Sequence, residues 1–212
     1  RAISLIDIAL WDIRAIRAGE PLHRILGAPR EPAPVDVMFV AGYPTIPSDV
    51  DGVTAAATRA AEAGHSLVKI ARPQDPETRK MVLRELSEHL PAPTRVVVDA
   101  SWFWQEPDQA IEEVRGWAPC PIAWIEDPFP AEQVHDYARL RGGVDYAVGG
   151  GDEVTDQHAY HRLVEVGALD VVRLDVATVG GVTAAVRVAR QAELWGLPVS
   201  MHISPEVSVH LA

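Results

Sequence analysis

The chain has 212 residues, of which 48% are hydrophobic and 23% charged, the balance of a globular protein long enough to bury a sizeable core. A formal net charge of -11 with no basic run excludes a nucleic-acid surface. Cys120 is the lone cysteine, which excludes an internal disulfide and a cysteine-built zinc site, and no apolar stretch approaches the roughly 18 residues of a membrane span.

A reducing cytoplasm suits this cysteine usage, and the N-terminus carries no signal-peptide pattern. Residues 4–18 place Leu5, Ile8, Ala9, Trp11, Ile13 and Ile16 at mostly helical spacing, with Gly19 as a stop. A proline-rich linker, PLHRILGAPREPAPV, follows. Domain organisation is therefore read as a helix and linker over 1–30, then one βα domain over 31–212. Short apolar runs recur after the linker: VDVMFV, SLVKIA, RVVVDA, IAWIED, DYAVGG, DVVRLDV and LPVSMHI. Amphipathic segments such as DVDGVTAAATRAAEAG, PETRKMVLRELSEHL, PDQAIEEVRGWA and GVTAAVRVARQAELWG separate them.

Near-continuous apolar strands alternating with helices predict a parallel sheet covered on both faces. A repeat of about 25 to 30 residues suits βα units, and so many units favour an α/β fold of the TIM-type (β/α) barrel class, with its last strand beyond Ala212. In such a barrel the chemistry sits at the C-terminal ends of the strands. Successive strand ends give Lys69, Asp99, Glu126, Asp152, Asp175 and His202, spaced 30, 27, 26, 23 and 27 residues apart. One βα unit per interval brings these side chains to one mouth. Taken singly, each acid has a structural alternative as a helix cap or ion-pair partner. Taken together, Asp99, Glu126 and Asp152 repel one another unless a cation lies between them. Oxygen ligands without cysteine favour Mg²⁺, with Mn²⁺ as an alternative, over zinc.

The order DAS, WIEDP, GGGDE, RLDVATVGGVT and SMHISPEVSVHLA resembles the barrel of the enolase superfamily, in its mandelate racemase/muconate lactonizing enzyme-like subgroup. ALWDIRAIRAGEPLHRILGA resembles the segment that precedes that barrel. The resemblance implies a (β/α)₇β barrel in the full protein, an N-terminal capping domain that this chain lacks, and a homo-oligomer. It also implies a Mg²⁺ ion that holds a substrate carboxylate and stabilises the enediolate formed when a base removes the α-proton. By matched position, Asp99, Glu126 and Asp152 are the implied metal ligands. Asp175 and His202 resemble the family's Asp–His dyad, in which the carboxylate orients the imidazole, and His202 is the implied base or acid. Glu153 is the alternative third ligand, one place late in the motif, and a strand residue displaced by one points to the other face.

HSLVKIARP departs from the pattern. Subgroup members often carry Lys-x-Lys here, the second lysine acting as a base, whereas this chain has Lys69, Ile70 and Ala71. Lys69 can still neutralise developing negative charge. Arg72 follows, but an arginine stays protonated and alternation aims it away from Lys69. One base disfavours a two-base racemase and favours dehydration of an acid sugar, a small carboxylate substrate. Some dehydratases of the family place a second histidine where this chain has Ser101. The alternatives are a racemase, epimerase or cycloisomerase of the same superfamily, and a catalytically inactive barrel with a ligand-binding or structural role, which Ala71 makes plausible.

Trp102, Phe103 and Trp104 either wall a pocket or pack under a loop. Glu206 and His210, four apart, read as a helix face. His158 and His161 read as surface residues. Gly149, Gly150 and Gly151 read as backbone that lets the chain approach an ion closely.

Overall fold

A computed structural model describes residues 1–31, 34–117 and 119–212. Residues 32 and 33 of the predicted linker, and residue 118 at the end of the predicted third-repeat helix, lie outside the described residues. The chain divides into two compact units, one of residues 36–150 with 166–169, the other of residues 1–35, 151–165 and 170–212.

The larger unit carries five parallel strands in chain order, β1 (Phe39–Gly42), β2 (Leu67–Ala71), β3 (Arg95–Asp99), β4 (Ile122–Glu126) and β5 (Val148–Gly150). Helices α3 (Val50–Glu62), α4 (Pro76–His89), α5 (Pro107–Arg115) and α6 (Val134–Gly143) connect them. Val96, Val97 and Val98 have no exposed surface, the double-sided burial that a continuous apolar run predicts. The predicted first strand, 35–40, is displaced: pairing to β2 begins at Phe39, where Val68 lies opposite. Helix α4 shows how local chemistry sets an element's start. Asp75 caps it, accepting bonds from the Thr78 backbone N–H at 2.7 Å and hydroxyl at 2.6 Å, and Pro76 occupies the first turn. Those hydrogen bonds hold the Asp75 carboxyl below its usual pKa. The helix then buries Thr78, Arg79, Val82, Leu83 and Leu86, one face at three- and four-residue spacing.

The second unit carries parallel strands β6 (Val171–Asp175) and β7 (Val199–His202) with α1 (Ala2–Ala18), α2 (Leu22–Ile25), α7 (Gln157–Glu165), α8 (Val182–Trp195) and α9 (Pro205–Ser208). Gly19 at φ 64° ends α1 and Gly196 at φ 71° ends α8, left-handed caps that glycine adopts without a side-chain penalty. The predicted helix forms, but its aliphatic residues are not its packing face. Leu5, Ile13 and Ile16 are exposed, and Ser4 and Ala15 are buried instead. Polar anchors make the difference. The Gly180 N–H donates to Ser4 Oγ at 3.1 Å, the Thr183 N–H and hydroxyl donate to Asp7 at 2.9 and 2.7 Å, and Trp11 Nε1 donates to Thr183 Oγ1 at 2.8 Å. Among the described residues no helix is long and apolar enough to cross a membrane.

Candidate active site

Two clusters of charged side chains form at strand ends, one in each unit. In the larger unit, β2, β3 and β4 pair with Ala71 opposite Asp99 and Asp99 opposite Glu126. Alternation then puts Lys69, two residues before Ala71, on the face that Asp99 and Glu126 share. Its ammonium lies 3.0 Å from Asp99 Oδ2 and donates to Glu126 Oε1. The other Glu126 oxygen accepts Trp124 Nε1 at 3.2 Å. Lys69 is 5% exposed, Asp99 8% and Glu126 0%, so two buried carboxylates share one buried cation. Lys69 is thus a mid-strand residue rather than a strand end, one layer below the rim. Ala71, 1% exposed, occupies the rim position above it and adds no titratable group.

In the second unit β6 and β7 pair with Asp175 opposite His202 and Arg173 opposite Ser200. His202 Nδ1 lies 3.2 Å from Asp175 Oδ2, while Asp175 Oδ1 accepts the Ala177 N–H at 2.7 Å. His202 Nε2 lies 3.3 Å from Asp152 Oδ2. Asp152 is not a strand residue either: β5 ends at Gly150, and Asp152 sits two residues on, its main-chain carbonyl accepting the Thr178 hydroxyl at 3.0 Å. Its carboxylate faces Arg173 Nε at 3.3 Å. Glu153, the alternative ligand, turns outward and pairs with Arg1 at 2.5 Å.

Backbone strain concentrates at the same places. Among the described residues, the non-glycine positions with positive φ are Arg72, Ser101, Trp102, Asp127, Ile203 and Ser204. Each follows within three residues of the end of β2, β3, β4 or β7. Such conformations cost about 1–3 kcal/mol each and persist where the surrounding structure imposes them, commonly at functional sites. Asp127 is held by its N–H to the Gly149 carbonyl at 3.0 Å, by its own carbonyl accepting the Trp102 N–H at 3.0 Å, and by Tyr137 Oη donating to its carboxylate at 3.0 Å.

Several sequence readings change. The glycine run also leaves no room for a side chain: a Cβ at Gly150 would meet Tyr137 Cε1 at 2.8 Å, and one at Gly151, whose φ is 130°, would meet the Arg173 carbonyl at 2.3 Å. Trp104 is buried and donates Nε1 to Glu113 at 2.8 Å, and the Phe103 ring lies 4.2 Å from the Arg79 guanidinium carbon. Only Trp102 of the three aromatics is exposed. His210 lies beyond α9 and stacks on His23, with ring centroids 5.4 Å apart, rather than sharing a helix face with Glu206. His161 packs edge-on to Trp195 at 4.8 Å. Sequence reasoning missed Asp127 and Arg173. The signal for Arg173 was present: a charge two residues before Asp175 in an apolar strand shares its face.

Asp99, Glu126 and Asp152 offer only oxygen donors from buried carboxylates, a donor chemistry that fits a hard divalent cation such as Mg²⁺ better than zinc.

Parallel βα repeats whose strands end in buried acids and an imidazole define a barrel-type α/β domain with its chemistry at the strand C-termini. The chain belongs to the enolase C-terminal domain-like family, whose model matches residues 52–212. It is 31% identical over 99% of its length to a 3,6-anhydro-alpha-L-galactonate cycloisomerase of Streptomyces coelicolor, covering 57% of that protein. It is 30% identical over 100% of its length to an L-talarate/galactarate dehydratase of Salmonella typhimurium, covering 52% of it. Among solved structures, L-talarate dehydratase from Polaromonas, complexed with Mg and L-glucarate, superposes with a TM-score of 0.81 at 29% identity, over 100% of this chain and 58% of that one. The chain thus spans about half the length of the curated relatives it matches. Its fold class is the enolase-superfamily TIM-type barrel domain that the sequence predicts.

Proposed function

We propose that the protein is a Mg²⁺-dependent enzyme that removes the proton α to the carboxylate of a small sugar acid and eliminates the β-hydroxyl as water. The observation that carries this reading is the His202–Asp175 pair at the ends of β6 and β7, 3.2 Å apart. His202 takes the α-proton, and Asp175, itself fixed by the Ala177 N–H, holds the ring so that Nε2 is the reacting nitrogen. Lys69 supplies a buried positive charge against the charge that develops on the substrate. Asp99, Glu126 and Asp152 are the proposed ligands of the metal, for which Mn²⁺ is an alternative occupant. The bound cation supplies Lewis-acid charge to the substrate carboxylate.

Ala71 supports dehydration over racemisation, because a racemase needs a second base on the opposite side of the α-carbon and this position offers none. A cycloisomerase is the second reading, supported by the 31% identity to one. Cytoplasmic residence and a homo-oligomeric state belong to the same proposal, the latter checked by light scattering.

A panel of acid sugars incubated with the protein and Mg²⁺ in D₂O separates the reactions. A dehydratase yields a 2-keto-3-deoxy acid, a racemase returns the substrate skeleton with deuterium at the α-carbon, and a cycloisomerase yields an isomer of unchanged mass apart from deuterium. No turnover or exchange across the panel would overturn the reading in favour of a binding role.

A further inference from the structure

Arg173 is an arginine in the middle of an otherwise apolar strand, and it is 1% exposed. A guanidinium stays charged at any ordinary pH, and a charge so deeply buried requires compensation by hydrogen bonds and by an opposite charge. The first comes from β7: Nη1 donates to Ser200 Oγ at 2.6 Å and to the Met201 carbonyl at 3.0 Å. The second comes from Asp152, whose Oδ1 lies 3.3 Å from Nε. The other oxygen of Asp152 faces His202 Nε2 at 3.3 Å. Ser200 and His202 are two residues apart on β7 and so share a face, as Arg173 and Asp175 do on β6. One strand pair therefore fixes both groups that face Asp152, a permanent cation at one oxygen and the dyad imidazole at the other.

We propose that Arg173 is a built-in counter-cation for Asp152: a positioning residue that holds this carboxylate in the metal-free protein and competes with the divalent cation for it. The proposal rests on the reading of Asp152 as a magnesium ligand. Cation binding is then an exchange of ion pairs rather than the neutralisation of a bare carboxylate, and Arg173 keeps the affinity low. Removing its charge destabilises the metal-free state and relieves repulsion in the metal-bound state, and both effects tighten binding.

The test uses the whole chain with Mg²⁺ as the probe, measured by titration calorimetry and by thermal melting in EDTA. Arg173→Gln, which keeps an amide donor for Ser200, is expected to bind Mg²⁺ about tenfold more tightly, an ordinary magnitude for coupling between two sites. In EDTA it melts below the wild type, and saturating Mg²⁺ closes the difference. Arg173→Lys keeps the charge and stays near wild-type affinity, which guards against a variant that simply fails to fold. Adding Asp152→Asn to Arg173→Gln raises the melting temperature in EDTA, because the uncompensated carboxylate is gone. Equal or weaker Mg²⁺ binding by Arg173→Gln overturns the proposal, as does failure of Asp152→Asn to rescue it in EDTA. If no variant binds Mg²⁺ while the rescue persists, the magnesium reading of Asp152 and the competition fall together, and the internal ion pair stands.

Discussion

His202 Nδ1 lies 3.2 Å from Asp175 Oδ2, across the last paired rung of β6 and β7. The pair is held by the turn that follows β6, since Asp175 Oδ1 accepts the Ala177 N–H at 2.7 Å. The carboxylate therefore cannot rotate away, and the ring orientation is set by the strand register. His202→Asn is expected to abolish exchange of the substrate α-proton with D₂O while leaving Mg²⁺ binding in place. Asp175→Asn keeps the shape but removes the acceptor that fixes the ring, and should slow exchange by about 10² to 10⁴, the usual span for general base catalysis. Proton NMR of a substrate incubated in D₂O measures both, and retained exchange in His202→Asn would remove it as the base.

Lys69 pairs with two buried carboxylates, Asp99 at 3.0 Å and Glu126 at hydrogen-bond distance. Lys69→Met leaves both acids facing each other without it. Breaking a buried pair by deleting one partner costs about 3–5 kcal/mol, because the remaining charge keeps its desolvation penalty. Urea unfolding in EDTA should show a loss of that order. Added Mg²⁺ should recover part of it if Asp99 and Glu126 are ligands, and no recovery would count against their role.

The parts of this molecule that were legible in its sequence are those set by local chemistry. Val96, Val97 and Val98 read as a doubly buried strand because each position is apolar, and Asp99 ends it because a carboxylate follows. The segment PETRKMVLRELSEHL read as an amphipathic helix, and α4 spans Pro76–His89. What was not legible depends on residues far apart in the chain. The α1 face could not be read from its own periodicity, since Asp7 finds its partner Thr183 across 176 residues. Lys69 and Asp152 miss their strand ends by two residues because spacing fixes the repeat, not the residue at which pairing stops. The position of Arg173 on the face of Asp175 could be read from strand alternation, but its partners Asp152, Ser200 and Met201 could not, because no local pattern joins them to it.

Cys120 is 4% exposed, and burial pushes its thiol up to about 12. Almost none of it is thiolate at neutral pH, so it should resist iodoacetamide in the folded chain and react fully in denaturant. Mass spectrometry of alkylated protein checks this. Rapid labelling under native conditions would mean that this loop opens easily.

His23 and His210 stack with their Nδ1 atoms 3.2 Å apart. Burial and then the neighbouring His23 lower the pKa of His210 below its ordinary 6.5. A group with a depressed folded pKa binds its proton better when unfolded, so stability is full above about 6.5 and declines as pH falls through the folded value. The melting temperature should therefore drop as pH is lowered from 7 towards 5, and His210→Gln should reduce that slope. An unchanged slope in the variant would assign the pH dependence to other groups.

A second, more acidic window belongs to Glu113. Burial acts to raise its pKa, but hydrogen bonds from Arg79 and Trp104, the Arg79 charge and a bond from Trp117 outweigh it and hold the carboxyl below 4.5. Arg79 Nε donates at 2.6 Å, and the same guanidinium donates to the Pro73 carbonyl at 2.6 Å beneath the Phe103 ring. With the folded pKa depressed, the contribution is complete above the unfolded value near 4.5 and is lost as pH falls through the folded one. Urea midpoints should fall steeply below about pH 4.5, and Glu113→Gln should flatten that limb while lowering stability at pH 7, where the charge on Arg79 loses its partner. Because Trp104 and Phe103 belong to the segment that follows Asp99, the same variant should raise the exchange rates of backbone amides over residues 100–104. Hydrogen exchange that stays at wild-type rates there would show that the loop is held by its aromatic packing alone and not through Glu113.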